Sequence, residues 1–253
     1  MTKFVVIASG KGGVGKTTTS INLANALQAH GKQAIVVDAD LLNPNVSLIL
    51  GSDKVETTLH NVLRGDAVID QIIYSHPSGI RVVPSSISLS DLPYSDYSAL
   101  GNALSQLRGK ADVVIVDSHP GINSDTHHLY KLADEVLVVT TPEISAVTDA
   151  LKTIRMAEKS GSSVMGVLIN RVEGKSYEMK LEDIESFLEK PVLSLIPEDS
   201  KVKQAAVENH PVYSLYPKSA ASARYHKLAA NLLGIEAQPQ GFFRELLNIF
   251  GIR

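Results

Sequence analysis

Near its amino end the chain carries Gly10-Lys-Gly-Gly-Val-Gly-Lys-Thr17, two lysines and a threonine set among four glycines. The spacing G-x-x-x-x-G-K-T is that of a phosphate-binding loop. Glycines let successive backbone N–H groups converge on phosphate oxygens, and the helix that follows adds partial positive charge at its first turn. In such a loop Lys16 neutralises the β- and γ-phosphates of a nucleotide. Thr17 supplies a hydroxyl of the kind that ligates Mg²⁺. Lys11 has no obvious part in this scheme. From its position alone it reads as a further contact to the same phosphates.

Magnesium and water chemistry need carboxylates at the ends of strands, and two places supply them. Residues 34–37 (AIVV) run into Asp38-Ala-Asp40, and residues 113–116 (VVIV) run into Asp117. Alternation sets Asp38 and Asp40 on one face while the backbone stays extended. A carboxylate after four apolar strand residues resembles the second acidic element of phosphate-loop enzymes, which holds metal-bound water. Ligands of such sheets sit beyond the carboxyl ends of the strands, where all three aspartates fall. The bland reading of each is a cap on the next turn.

The elements that must position these residues alternate along the chain. Apolar, β-branched runs at 4–8, 34–37, 80–83, 113–116, 136–140, 164–169 and 192–196 read as strands buried on both faces. Between them, 17–30, 97–108, 144–159, 178–189 and 220–233 have helical spacing. This predicts an α/β fold: a mostly parallel central sheet with helices on both faces. One domain spans 1–234. A polar stretch with a proline, 235–241, reads as a linker. There is no internal repeat.

Composition narrows the classes. The chain has 253 residues, 44% hydrophobic and 20% charged, enough for a large core in one domain. A net charge of -3 supplies no global field toward nucleic acid or anionic lipid. The absence of cysteine excludes disulfides, thiolate nucleophiles and metal or iron-sulfur centres held by Cys, and it fits a cytoplasmic protein. The apolar run at the amino end is too short for a secretory signal, and no run is long enough for a transmembrane helix.

The motifs K-G-G-x-G-K-T at 11–17, VVDAD at 36–40, Asn45, VIVDSHPGI at 114–122, TPEISAVTDALK at 141–152, LINR at 168–171 and IPED at 196–199 together resemble the MinD/ParA family of deviant Walker A ATPases, P-loop NTPases of the SIMIBI type. Within it the archaeal MinD group is the nearest likeness. The resemblance covers nearly the whole chain. It implies ATP and Mg²⁺ as cofactors and an ATP-bound homodimer in which Lys11 reaches the phosphates of the other subunit, in the manner of an arginine finger. It implies that Lys11, Lys16 and Asp40 are catalytic, Asp40 orienting the attacking water. Nucleotide contacts fall on Gly12, Gly13, Val14, Gly15, Lys16, Thr17 and Thr18, with Asn170 and Arg171 on the adenine side and Pro197, Glu198 and Asp199 in the loop beside the base. Thr17, Asp38 and Asp117 attend the metal, the aspartates through water. One departure stands out: His119 occupies a position that the family fills with a small residue or proline.

In 242–253 the apolar residues Phe242, Phe243, Leu246, Leu247 and Phe250 make one helical stripe, with Arg244, Glu245 and Asn248 opposite. Such a helix can lie in a membrane interface or pack on protein. With so few basic residues, insertion would rest on apolar burial. The resemblance implies a membrane-targeting helix and a cytoplasmic protein that is peripheral to the membrane in its ATP state. The expected function is therefore an ATP-hydrolysing spatial regulator that positions the division site or another structure, acting with an activator or cargo protein that the sequence does not name. Rival readings are a partition ATPase binding DNA nonspecifically, a positioning ATPase for flagella or chemosensory arrays, and a small-molecule synthetase or kinase of the same fold. DNA is not expected as a partner, because the carboxyl-terminal lysines form no basic stripe.

Overall fold

In β1 (Lys3–Ala8) side chains alternate between two apolar layers. Phe4, Val6 and Ala8 face one and Val5 and Ile7 the other, all fully buried. A strand apolar on both faces must be covered twice, so the chain returns helices to each side. The computed structural model describes residues 2–52, 55–122 and 124–235. The predicted linker beyond Ile235 and the predicted tail helix 242–253, with Phe242, Phe243, Leu246, Leu247 and Phe250, lie outside the described residues.

The elements follow in the order β1, α1 (Lys16–Ala29), β2 (Ala34–Ala39), α2 (Val46–Ile49), α3 (Leu59–Arg64), β3 (Tyr74–Ser75), β4 (Arg81–Val83), α4 (Tyr97–Ser105), β5 (Val113–Ser118), α5 (Ser124–Leu132), β6 (Glu135–Thr140), α6 (Ile144–Lys159), β7 (Val164–Val172), α7 (Leu181–Leu188), β8 (Val192–Pro197), α8 (Ser200–Val207), α9 (Val212–Leu215) and α10 (Ala220–Leu232). The sheet order is β3-β4-β2-β5-β1-β6-β7-β8. All neighbours are parallel except β3 and β4.

The mostly parallel sheet with helices on both faces is as the sequence predicts, and all seven predicted strands form. The eighth, β3, is a two-residue antiparallel edge too short to leave a pattern. One apolar layer holds Leu100, Leu104, Val147, Ile154 and Leu188 of α4, α6 and α7 against the sheet; the other holds Ile21, Leu27, Tyr225 and Leu228 of α1 and α10. Chain order reverses around β1, with β5 on one side and β6 on the other, and the carboxyl ends of β1, β2 and β5 open on that crevice.

Candidate active site

β1 runs into the glycine loop, and α1 begins at Lys16. Two of the glycines answer to packing. A β-carbon on Gly10 would stand 2.3 Å from the carbonyl oxygen of Asp149 in α6. Gly15, at φ 102°, caps α1 in the left-handed region, and a β-carbon there would lie 2.1 Å from Nδ2 of Asn170. At Gly12 and Gly13 an added β-carbon would meet nothing within 4 Å. These residues line an open cradle whose free face is backbone.

Lys16 sits at the floor of the cradle, 8% exposed, its Nζ donating to Ser9 Oγ at 2.9 Å. Burial lowers its pKa, and the charges of Asp117 and Asp40 oppose that fall. The loop after β5 is tied to the same place, since Gly121 N donates to Ser9 O at 2.9 Å.

Asp38 and Asp117 are register partners on neighbouring strands, and both side chains are buried. Their partners differ. Asp38 Oδ2 accepts from the backbone N–H of Asn45 and of Val46, both at 2.9 Å, and Oδ1 from Asp40 N at 3.3 Å. Asp117 Oδ2 accepts from the Thr17 hydroxyl at 2.6 Å and Oδ1 from the Ser20 hydroxyl at 3.1 Å. Burial, reinforced by Asp117, pushes the Asp38 carboxyl well above the usual carboxylate range. Burial also raises Asp117, to about 6, against the pull of Thr17 and Lys16.

Asp40 follows β2, and its Oδ1 accepts from Asn43 N at 3.0 Å, closing a turn. Its pKa is raised by burial and held back by that hydrogen bond and by the nearby charges of His119 and Lys16. The residue flagged as a departure, His119, thus faces Asp40 electrostatically, and its Nδ1 is buried without a hydrogen-bond partner. The next backbone donor, Leu41 N, is held by the Tyr97 hydroxyl at 3.1 Å.

Asn170 lies at the end of β7 and its amide donates to Val14 O at 2.8 Å, bracing the phosphate loop. Arg171 is exposed with φ 57°. Pro197 ends β8, and Glu198 pairs with Lys203. The Asp199 carboxylate caps two helices, accepting from Lys201 N at 2.9 Å and Ala221 N at 3.1 Å. Lys11 is 44% exposed at its side chain. Its Nζ donates to Glu143 Oε2 at 3.2 Å and to Ser145 Oγ at 3.3 Å, residues at the start of α6. Ser9, Ser20, Asn43 and Tyr97 were not singled out in the sequence. Serines and a lone tyrosine carry no spacing signal there, and only the fold sets them against the site.

The residues present fit a divalent cation. Three buried aspartates face a single buried lysine; burial raises the pKa of each acid, and the negative charge of their neighbours adds to the rise at Asp38 and Asp117. Among the described residues no three His, Asp or Glu side chains form a metal cage. That suits Mg²⁺, which takes few protein ligands and completes its shell with water and phosphate.

Residues 5–212 match the CobQ/CobB/MinD/ParA nucleotide binding domain family. The chain belongs to this family. An uncharacterised ATP-binding protein of Methanocaldococcus jannaschii is 39% identical over 236 residues, 93% of this chain and 89% of that protein. The septum site-determining protein MinD of Bacillus subtilis is 31% identical over the full length of both. Among solved structures, Pyrococcus horikoshii MinD complexed with Mg-ADP superposes with a TM-score of 0.88 at 33% identity, covering 94% of this chain and all of that one. The family membership expected from the motifs is thereby established.

Proposed function

We propose that the chain is a MinD-type ATPase, a switch that pairs two copies around ATP and resets by hydrolysis. The observation that carries this reading is the arrangement beneath the glycine cradle. Lys16, the Thr17 hydroxyl and Asp117 converge where backbone donors are open to a phosphate chain. The likeness to MinD bound to Mg-ADP supports ATP and Mg²⁺ as its ligands.

In this reading the Thr17 hydroxyl, and Asp117 through water, would hold Mg²⁺, which would supply charge neutralisation at the β- and γ-phosphates. The Thr17 oxygen keeps a lone pair for the metal while its proton goes to Asp117. Lys16 and the N–H groups of 12–18 bind the phosphates, and Lys16 stabilises the charge that builds as the γ-phosphoryl leaves. Asp40 orients the attacking water. Its Oδ1 accepts from Asn43 N, which ties the orientation of the carboxylate to the shape of the 40–46 loop and leaves Oδ2 for the water. Asp38 keeps that loop folded through its three backbone donors and would attend the metal through water. Asn170, Arg171 and the 197–199 loop flank the base.

Lys11 makes pairing depend on nucleotide. In one copy it rests on Glu143 and Ser145. An exposed pair of this kind contributes about 1 kcal/mol or less, so it yields readily to the phosphates of a second copy. Attachment to a membrane follows from the sequence of 242–253. One short apolar helix is a weak anchor, and two on a dimer gain avidity of about 10²–10⁴-fold. No helix among the described residues is long and apolar enough to cross a membrane.

Co-sedimentation with liposomes in ATP, in ADP and without nucleotide tests this reading, comparing the full chain with one ending at Gly234. ATP-dependent pelleting that truncation abolishes is the expected result. Failure to pellet in every state would remove the membrane role.

A further inference from the structure

Ser20 stands one turn beyond Lys16 in α1, fully buried. A serine there is often explained by a local bond, and its Oγ does lie 3.0 Å from Lys16 O. The same oxygen lies 3.1 Å from Asp117 Oδ1. A hydroxyl has one proton and cannot serve both acceptors fully. A buried carboxylate is the stronger acceptor, because the bond to it is charge-assisted. Lys16 O belongs to the helix ladder and has another donor in reach, the backbone N–H of Ser20 itself. Asp117 Oδ1 has no other partner of that strength among the described residues.

The consequence concerns the other oxygen. A carboxylate can turn about χ2, a broad torsion that packing alone holds poorly. Asp117 is flanked by Asp38 on the neighbouring strand, whose charge repels it. Something must keep Oδ2 on the Thr17 hydroxyl. Ser20 holds Oδ1 from the helix side, and Thr17 holds Oδ2 three residues earlier on the same helix. The two hydroxyls share a face of α1 and form a fork across both carboxylate oxygens.

We propose that Ser20 is a positioning residue for the metal site: it locks Asp117 so that the Thr17 oxygen is presented to Mg²⁺. This deepens the nucleotide reading above and rests on it. The prediction is that Ser20 governs how much Mg²⁺ improves nucleotide binding, and leaves metal-free nucleotide binding alone.

Calorimetric titration with ADP, once in excess Mg²⁺ and once in EDTA, measures that gain as a ratio of two affinities. The proteins are the full chain, Ser20→Ala and Ser20→Thr. A hydrogen bond to a charged group is strong enough that its loss should reduce the ratio about tenfold or more. In Ser20→Ala the EDTA affinity should stay within about twofold, and Ser20→Thr, which keeps the hydroxyl, should retain most of the ratio. Ser20→Ala with an unchanged ratio overturns the proposal. So does a drop of equal size with and without Mg²⁺, which would make Ser20 a packing residue of α1. If Ser20→Ala does not fold, the ratio in Ser20→Thr against Ser20→Cys carries the test, and equal ratios overturn the proposal. If the parent protein binds no ADP in either buffer, the nucleotide reading itself fails and the proposal falls with it.

Discussion

Two aspartates lie side by side at the carboxyl ends of β2 and β5, matched in register and both buried, yet they are used differently. Asp38 is enclosed by backbone N–H groups of the loop that follows its own strand. Asp117 is enclosed by two hydroxyls from α1, a separate element. Backbone donors cannot leave without unfolding the loop, so Asp38 is a structural anchor for residues 40–46. Hydroxyls rotate and carry lone pairs as well as a proton, so Asp117 can share its donors with a metal. In the proposed function the same residue type is chiefly a loop anchor on one strand and chiefly a metal-site residue on the next because of what donates to it.

A third carboxylate sharpens this contrast most strongly. Asp40 belongs to neither arrangement, and the account has it orient water. Asp40→Ala should lower the steady-state ATPase rate by about 10²–10⁴-fold, while ATP affinity by equilibrium titration changes little. A comparable loss of affinity would make Asp40 a binding residue.

Next in size is the direct comparison. Asp38→Ala leaves three backbone N–H groups without their acceptor, those of Asp40 and Val46 buried, and an unpaired buried donor costs about 1–3 kcal/mol. Urea unfolding should find it destabilised by about 2–4 kcal/mol. Asp117→Ala should cost less, because Ser20 can turn its proton to Lys16 O. Equal losses would erase the distinction between anchor and site.

The pH dependence of the nucleotide-free protein distinguishes the two further. The folded-state pKa of Asp117 is raised to about 6 from an ordinary 3.8. Between those values the folded protein keeps a proton that the unfolded chain has released. The contribution of this group to stability is therefore highest below about pH 4, falls as pH rises to about 6, and is level above that. The drop is on the order of 3 kcal/mol. Asp117→Asn, which mimics the protonated acid, should flatten that part of the profile and raise stability above pH 6. An unchanged profile would mean that Asp117 is not the group that titrates.

The smallest effect lies at the rim. Glu143→Ala frees Lys11 from an exposed pair worth about 1 kcal/mol or less. The ATP concentration that half-saturates dimer formation should shift by about fivefold or less, toward easier pairing. Weaker pairing would mean that Glu143 contributes to the dimer itself.

Much of this was legible in the sequence, for physical reasons. Strands buried on both faces leave uninterrupted β-branched runs, so all seven parallel strands could be read, and α6 at Ile144–Lys159 matches its predicted span. The glycine-lysine-threonine spacing and the aspartates after apolar runs marked where phosphate and metal chemistry would gather. Less was legible where a contact depends on the fold. The four-residue helices α2 and α9 have too few turns for a period to emerge. That Asp38 and Asp117 are neighbours follows from β5 inserting between β1 and β2, which no local pattern encodes. Ser20 reads as one more small residue in Thr17-Thr-Thr-Ser20, and Asn170 gives no hint that it braces Val14. The resting place of Lys11 on Glu143 joins residues 132 positions apart and was likewise invisible.

The central claim is that ATP, through Lys11, joins two copies of the chain. The most direct measurement is sedimentation-equilibrium mass for Asp40→Ala in Mg-ATP, in Mg-ADP and without nucleotide, beside the same protein with Lys11→Ala added. The account predicts twice the chain mass of 27.2 kDa in Mg-ATP alone, and a single chain in every state once Lys11 is replaced. A single chain in Mg-ATP, or a dimer indifferent to nucleotide and to Lys11, would contradict it.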